Sequence, residues 1–155
     1  MSPLGSQPRQ IDVLLVEDNP GDFRLTEEAF KEGEVKKTLH WVQDGLQALD
    51  FLRRRGKYAG AVRPDIIVLD LNLPKLSGRE LLAQIKADER LKSVPVIVLT
   101  TSRADDDVRA AYGLHANCYI TKPADLDRFL AIVKLIDHFW LDVVTLPAMR
   151  GEDTA

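Results

Sequence analysis

The chain has 155 residues, 45% of them hydrophobic and 29% charged, with a net charge of −3 and a single cysteine. This is one domain's length with enough apolar material for a core, and its mild negative charge argues against nucleic acid or an anionic membrane as a partner. Cys118 alone excludes an internal disulfide and suits a reducing, cytoplasmic setting; no stretch reads as a signal peptide or a membrane span.

Taken in chain order, the elements alternate. After a ten-residue tail, IDVLLV (11–16) reads as a strand. NPGDFRLTEEAFKEG (19–33) reads as a helix: Asn19 suits the N-cap, Pro20 the first helical position, and Asp22 puts negative charge in the first turn. Phe23, Thr26 and Phe30 recur on one face. KTLHWV (37–42) is a half-exposed strand, and GLQALDFLRRR (45–55) a helix. The run from Ile66 to Leu69 is continuously apolar and rich in β-branched residues, as in a strand buried on both faces. GRELLAQIKADE (78–89) follows as a helix with Leu81, Leu82 and Ile85 as its stripe. VPVIVLT (94–100) is a strand, ADDDVRAAYGL (104–114) a short helix, NCYIT (117–121) a strand, and 125–144 a long final helix. Five strands alternating with five helices predict an α/β fold: a doubly wound parallel sheet with helices on both faces, in the order 2-1-3-4-5. The domain is expected over residues 11–145, with flexible tails at 1–10 and 146–155.

In doubly wound sheets the functional crevice lies outside the C-terminal ends of the strands. Strand three ends in Asp70 and strand one in Glu17 and Asp18, and the expected order makes these strands neighbours. Three carboxylates converging on one spot repel each other unless a cation relieves them. Oxygen-only ligands with access to water suit Mg²⁺. The acidic pair taken alone reads equally well as a cap on the first helix. Strand four adds Thr100 and Thr101 to the same edge, and strand five adds Thr121, Lys122 and Pro123. A carboxylate nucleophile, a hydroxyl and an ammonium beside a cation are the parts of a phosphoryl-transfer site, with Asp70 as nucleophile and Thr100 and Lys122 on the transferred oxygens.

VED at 16–18, VLDLNLP at 68–74, SGRELL at 77–82, VIVLTTS at 96–102 and YITKP at 119–123 stand in the order and spacing of a receiver domain of two-component response regulators, and the sequence resembles that flavodoxin-like family from about Ile11 to Leu141. The resemblance implies that Asp70 accepts a phosphoryl group from a sensor histidine kinase. It implies that Asp18, Asp70 and the backbone carbonyl of Asn72 ligate Mg²⁺, with Glu17 acting through water. Thr100 and Lys122 would contact the phosphoryl group, Thr100 and Tyr119 would form the switch, and the Lys122–Pro123 bond would be cis. The acidic pair is Glu-Asp instead of the commoner Asp-Asp. EDNPGD, the basic connection RRRGKYAGAVRP, CYITKP and HFWL resemble single-domain regulators paired with bacterial and cyanobacterial phytochromes, which implies a phytochrome kinase as partner and no DNA-binding output domain.

Two other classes fit less well. An aspartate-nucleophile phosphatase of the haloacid dehalogenase type places a second Asp two residues after the nucleophile, where this chain has Asn72. An FMN-binding flavodoxin would cradle phosphate in its first strand–helix loop, where VEDNPGD would repel it. The receiver reading is of a non-enzyme that acts only on its own aspartate. The arginines of the basic connection are read as complements to a helix C-terminus. His40, His115 and His138 follow no metal-ligand spacing, and Cys118 reads as a small buried residue. On the last helix Leu126, Phe129, Val133, Ile136, Trp140 and Val143 form the stripe expected to pack on the sheet. A second set, Ile132, Leu135 and Phe139, lies a quarter to a third of a turn away. It suits a homodimer interface, a core face that is simply wide, or a patch covered by the tail after Leu146.

Overall fold

The computed structural model describes residues 10–147. A five-stranded sheet forms in the order β2-β1-β3-β4-β5, with every pair parallel. The strands are β1 (Ile11–Val16), β2 (Lys37–Val42), β3 (Ile66–Leu69), β4 (Val96–Thr100) and β5 (Cys118–Thr121); the helices are α1 (Pro20–Lys31), α2 (Gly45–Leu52), α3 (Gly78–Ala87), α4 (Asp105–Gly113) and α5 (Leu126–Ile136). This is the expected doubly wound fold with the expected strand order.

The side chains of the central strands alternate between two cores. Leu14, Val16, Ile67, Leu69, Val96 and Val98 pack on one face with Leu49, Leu81, Leu82 and Ile85 of α2 and α3. Val13, Leu15, Ile66, Val68, Ile97 and Leu99 pack on the other with Phe30 of α1 and Phe129, Val133 and Ile136 of α5. Each fully buried aliphatic side chain contributes roughly 1.5–3 kcal/mol, so the helices are held to the sheet chiefly by these two layers.

The helix starts form as their sequences dictate. Asn19 accepts a hydrogen bond from the Asp22 backbone N–H, and Asp44 one from that of Gln47. Ser77 and Glu80 close a reciprocal capping box at α3. Asp125 caps α5 by accepting from Asp127 and Arg128.

The last helix departs from its expected pattern. Beyond Ile136 it widens to a π-helix over Asp137–Val143. A wider turn rotates every later side chain around the axis. Leu141 therefore takes a core place, Trp140 is only partly buried, and Val143, expected on the stripe, is exposed. Leu126 is also exposed, one residue inside the N-cap. Asp137 lies at the join, buried, with Oδ1 2.9 Å from Lys37 Nζ. Lys37 also donates to the Phe30 carbonyl at 2.7 Å. Gly33 makes room for this pair, since a Cβ there would lie 1.7 Å from Asp137 Oδ2. Leu146, placed by the sequence reading at the start of the tail, is buried against the α1/α5 core; residues 1–9 and 148–155 of the expected tails lie outside the described residues. Among the described residues no helix is long and apolar enough to cross a membrane.

Candidate phosphoryl-transfer site

Register brings the strand ends together. Val16 of β1 pairs with Leu69 of β3, and the Asp70 N–H donates to the Val16 carbonyl at 3.1 Å. Glu17 and Asp70 thus leave adjacent strands side by side. On the other flank Thr100 pairs with Thr121, and the Lys122 N–H donates to the Thr100 carbonyl at 2.7 Å.

Asp70 is 7% exposed and both its oxygens are engaged. Oδ1 accepts from the Thr100 hydroxyl at 2.9 Å and from the Asn72 N–H at 3.0 Å. Oδ2 accepts from Lys122 Nζ at 3.0 Å. Lys122, itself buried, also donates to Glu17 Oε1 at 2.6 Å and to Asp22 Oδ2 at 2.9 Å. This ammonium makes a carboxylate tolerable at the end of a dry strand. Burial pulls Lys122 down, but the hydrogen bonds to Glu17 and Asp22 and the charges of Asp70 and Glu17 outweigh it and hold the group above the usual lysine range. Burial pushes the Glu17 carboxyl up to about 7 against the pull of Lys122. The Asn19 N–H donates to the other Glu17 oxygen at 3.1 Å.

One carboxylate oxygen from each of Glu17, Asp18 and Asp70 lies within 4.8 Å of the others. Asp18 is exposed, whereas Glu17 and Asp70 are buried. An all-oxygen donor set with one face open to water fits a hard divalent cation that keeps part of its hydration shell. Lys122 by itself does not balance Glu17, Asp18, Asp22 and Asp70, so a second cation also fits the charge.

The loop after Asp70 is shaped by Gly78. Its N–H donates to the Leu71 carbonyl at 2.9 Å, and a Cβ there would stand 2.4 Å from Leu71 Cα and 2.6 Å from the Asp70 carbonyl oxygen. Across the site, the Phe23 and Trp41 rings stack with centroids 4.0 Å apart, and Trp41 Nε1 donates to the Glu17 carbonyl at 2.7 Å. Tyr119 is half-buried; its hydroxyl donates to the Ser102 carbonyl at 2.9 Å. The Ser102 hydroxyl in turn donates to Asp107 of α4, which also pairs with Arg79 of α3.

The structure therefore gathers Glu17, Asp18, Asp70, Asn72, Thr100 and Lys122 at one edge, with Tyr119 on the β5 flank. It corrects one expectation: the Lys122–Pro123 bond is trans, as no cis peptide occurs among the described residues. Trans is favoured at an X–Pro bond by about 0.5–1 kcal/mol, and the lysine reaches all three carboxylates from that isomer. Sequence reasoning missed Asp22, which it treated only as a first-turn charge. The available signal was its spacing: five residues after Glu17, in the first turn of a helix that starts at the same edge. Cys118 is only partly buried, beside Trp140, and burial raises its thiol.

Fold, acidic cluster and strand-end lysine define a receiver domain, and the chain belongs to the response regulator receiver domain family, whose model matches residues 13–134. It is 49% identical over 143 residues to the response regulator Rcp1 of Synechocystis sp., covering 92% of this chain and 97% of Rcp1. It is 43% identical over 129 residues to the probable methanogenesis regulatory protein FilR2 of Methanothrix harundinacea, covering 83% of each. The crystal structure of the Mn²⁺-bound form of Rcp1 superposes with a TM-score of 0.88, covering 89% of this chain and 99% of that one. The phosphorylated cyanobacterial phytochrome response regulator RcpA, 51% identical, gives 0.88 over 90% of this chain and 100% of its own.

Proposed function

We propose that this response regulator accepts a phosphoryl group from a sensor histidine kinase onto Asp70 and signals through the conformational change that follows. The observation that carries the reading is the Asp70 carboxylate held between the Thr100 hydroxyl and the Lys122 ammonium, with Glu17 and Asp18 alongside. An Asp70 oxygen attacks phosphorus, the bond from phosphorus to the donor imidazole breaks, and the nitrogen leaves with the electron pair. Lys122 and the Asn72 N–H meet negative charge on the transferred oxygens, and the Thr100 hydroxyl turns from the carboxylate to one of them. Mg²⁺, held by Asp18, Asp70, the Asn72 carbonyl and, through water, Glu17, would supply further charge neutralisation. The only catalysis in this reading is formation and hydrolysis of the protein's own acyl phosphate.

A phytochrome kinase is the proposed partner, supported by the likeness to RcpA, a phytochrome response regulator. The negative net charge favours neither nucleic acid nor membrane as a further partner, and the single cysteine favours a cytoplasmic setting. The proposed switch is the pair Thr100 and Tyr119. When the Thr100 hydroxyl moves to the phosphoryl group, the Tyr119 ring turns into the vacated space and its bond to the Ser102 carbonyl breaks.

The test is incubation with Mg²⁺ and a small phosphodonor, read by peptide mass spectrometry and by the NMR signals of Tyr119. Wild-type protein should carry one acid-labile phosphoryl group on Asp70, and Asp70→Asn none. Uptake by Asp70→Asn at the wild-type rate would overturn the assignment. A phosphorylated protein with unmoved Tyr119 signals would overturn the switch alone.

A further inference from the structure

We propose that the opposite edge of the sheet carries a second anion site, a pocket for a phosphate group built by Arg53, Arg54, Arg63 and Arg90. Each α-helix here runs back antiparallel to the strands. The starts of α2 and α3 flank Asp70, and their C-terminal ends lie at the far edge. There a cavity of about 210 Å³ opens between them, lined by the four arginines and Asp88 over a floor of Leu52 and Leu91. That volume holds several waters at ~30 Å³ each. Asp88 is the one carboxylate of that lining, and it is already committed. Asp88 Oδ1 accepts from the Arg90 N–H at 2.8 Å, and Oδ2 stands 3.9 Å from Arg53 Nε.

The helix dipole of α2 accounts for Arg53 and Arg54, which follow its last residue. Arg90, in the turn just beyond α3, stands in the same way to the end of that helix. Neither dipole accounts for Arg63, which arrives from the connection before β3. Arg63 carries the second observation. Its Nε is buried and has no hydrogen-bond partner. A buried guanidinium N–H is normally satisfied, and where protein supplies no acceptor a solvent or ligand oxygen does. Arginine forks match phosphate oxygens bidentately. Among the described residues no aromatic ring lines the cavity, so the part recognised is the phosphate itself, borne by inorganic diphosphate or by a nucleotide. The site is independent of Asp70 chemistry and of the function proposed above.

The test is titration of the full chain with inorganic diphosphate, and separately with ADP. Both are run in EDTA at constant ionic strength, followed by backbone-amide NMR and calorimetry. Amides around residues 52–54, 63 and 88–91 should shift, while those of Asp18, Asp70 and Lys122 should not. Arg63→Gln and Arg90→Gln should each weaken binding at least tenfold and leave phosphorylation of Asp70 unchanged. Arg90 is exposed, so its variant folds even if Arg63→Gln does not. Equal affinity for both ligands assigns the site to the phosphates alone, and tighter ADP binding assigns it to a nucleotide. Shifts confined to the Asp70 edge, affinity unchanged in Arg90→Gln, or no binding at millimolar diphosphate would overturn the proposal.

Discussion

Lys122 and Asp22, one hundred positions apart in the chain, meet at 2.9 Å in the site. Asp22 is the more exposed partner, so the contact contributes less than a fully buried pair would. Asp22→Asn should cost roughly 1 kcal/mol of stability and lower the pH at which Lys122 titrates, because one of its three carboxylate partners is neutralised. Denaturant unfolding and NMR of the Lys122 side chain check both. An unaltered lysine titration would mean that the contact does not persist in solution.

Glu17 gives the site a pH dependence. Its carboxyl sits at about 7, raised from 4.5 by burial. A raised carboxyl binds its proton more tightly in the folded state than in the unfolded. Its contribution to stability is therefore present below about 4.5 and is lost as the pH rises through about 7. A divalent cation needs the ionised form. Stabilisation by excess Mg²⁺ over EDTA should thus be small at pH 5.5 and grow toward pH 8, as thermal unfolding would record. Equal stabilisation at both ends of that range would remove Glu17 from the cation's surroundings.

Gly78 and Gly113 make a controlled pair. A methyl group at Gly78 collides with the Leu71 and Asp70 backbone, whereas nothing lies within 4 Å of one at Gly113. Gly78→Ala should cost about 1–3 kcal/mol and slow phosphorylation, since the strand end carrying Asp70 must shift. Gly113→Ala should be neutral or stabilising by ~0.4–1 kcal/mol. Phosphorylation of Gly78→Ala at the wild-type rate would show that the loop tolerates the shift.

On α5 and the π-helical turns that continue it, Leu135 is 60% and Phe139 51% exposed, with Val143 open beyond them. Ile132, expected in the same patch, is instead partly buried against the core. We propose that Leu135 and Phe139, with Ile132 at the margin, meet the same patch of a second copy across a two-fold axis. Light scattering at micromolar concentration should give a dimer for the wild type and a monomer for Phe139→Asp with its fold retained. A wild type that stays monomeric at high concentration, phosphorylated or not, would rule the interface out.

The elements and both core layers were legible because β-branched runs and helical stripes are local signals, and the strand order came with the doubly wound class that their alternation defines. So was the acidic edge, because parallel strands all deliver their C-terminal residues to one side. The turning of α5 at Asp137 was not. It accompanies a buried pair between Asp137 and Lys37, positions that no periodicity relates. Leu141 and Leu146 consequently took core places that the stripe assigned to Val143 and left to a tail. Asp22 escaped notice for the same reason: its partner, Lys122, is close only after the sheet has formed.

The Lys37–Asp137 pair also constrains how this sequence can drift. Loss of either partner alone strands a buried charge, at a cost of about 3–5 kcal/mol, a large part of the total stability of a domain this size. Replacing both together with apolar residues of similar volume is often neutral. The two positions therefore form a fitness valley with tolerable ground on either side, crossed readily only by paired change. Gly33 is tied to the same pair, since a Cβ there would collide with the Asp137 side chain.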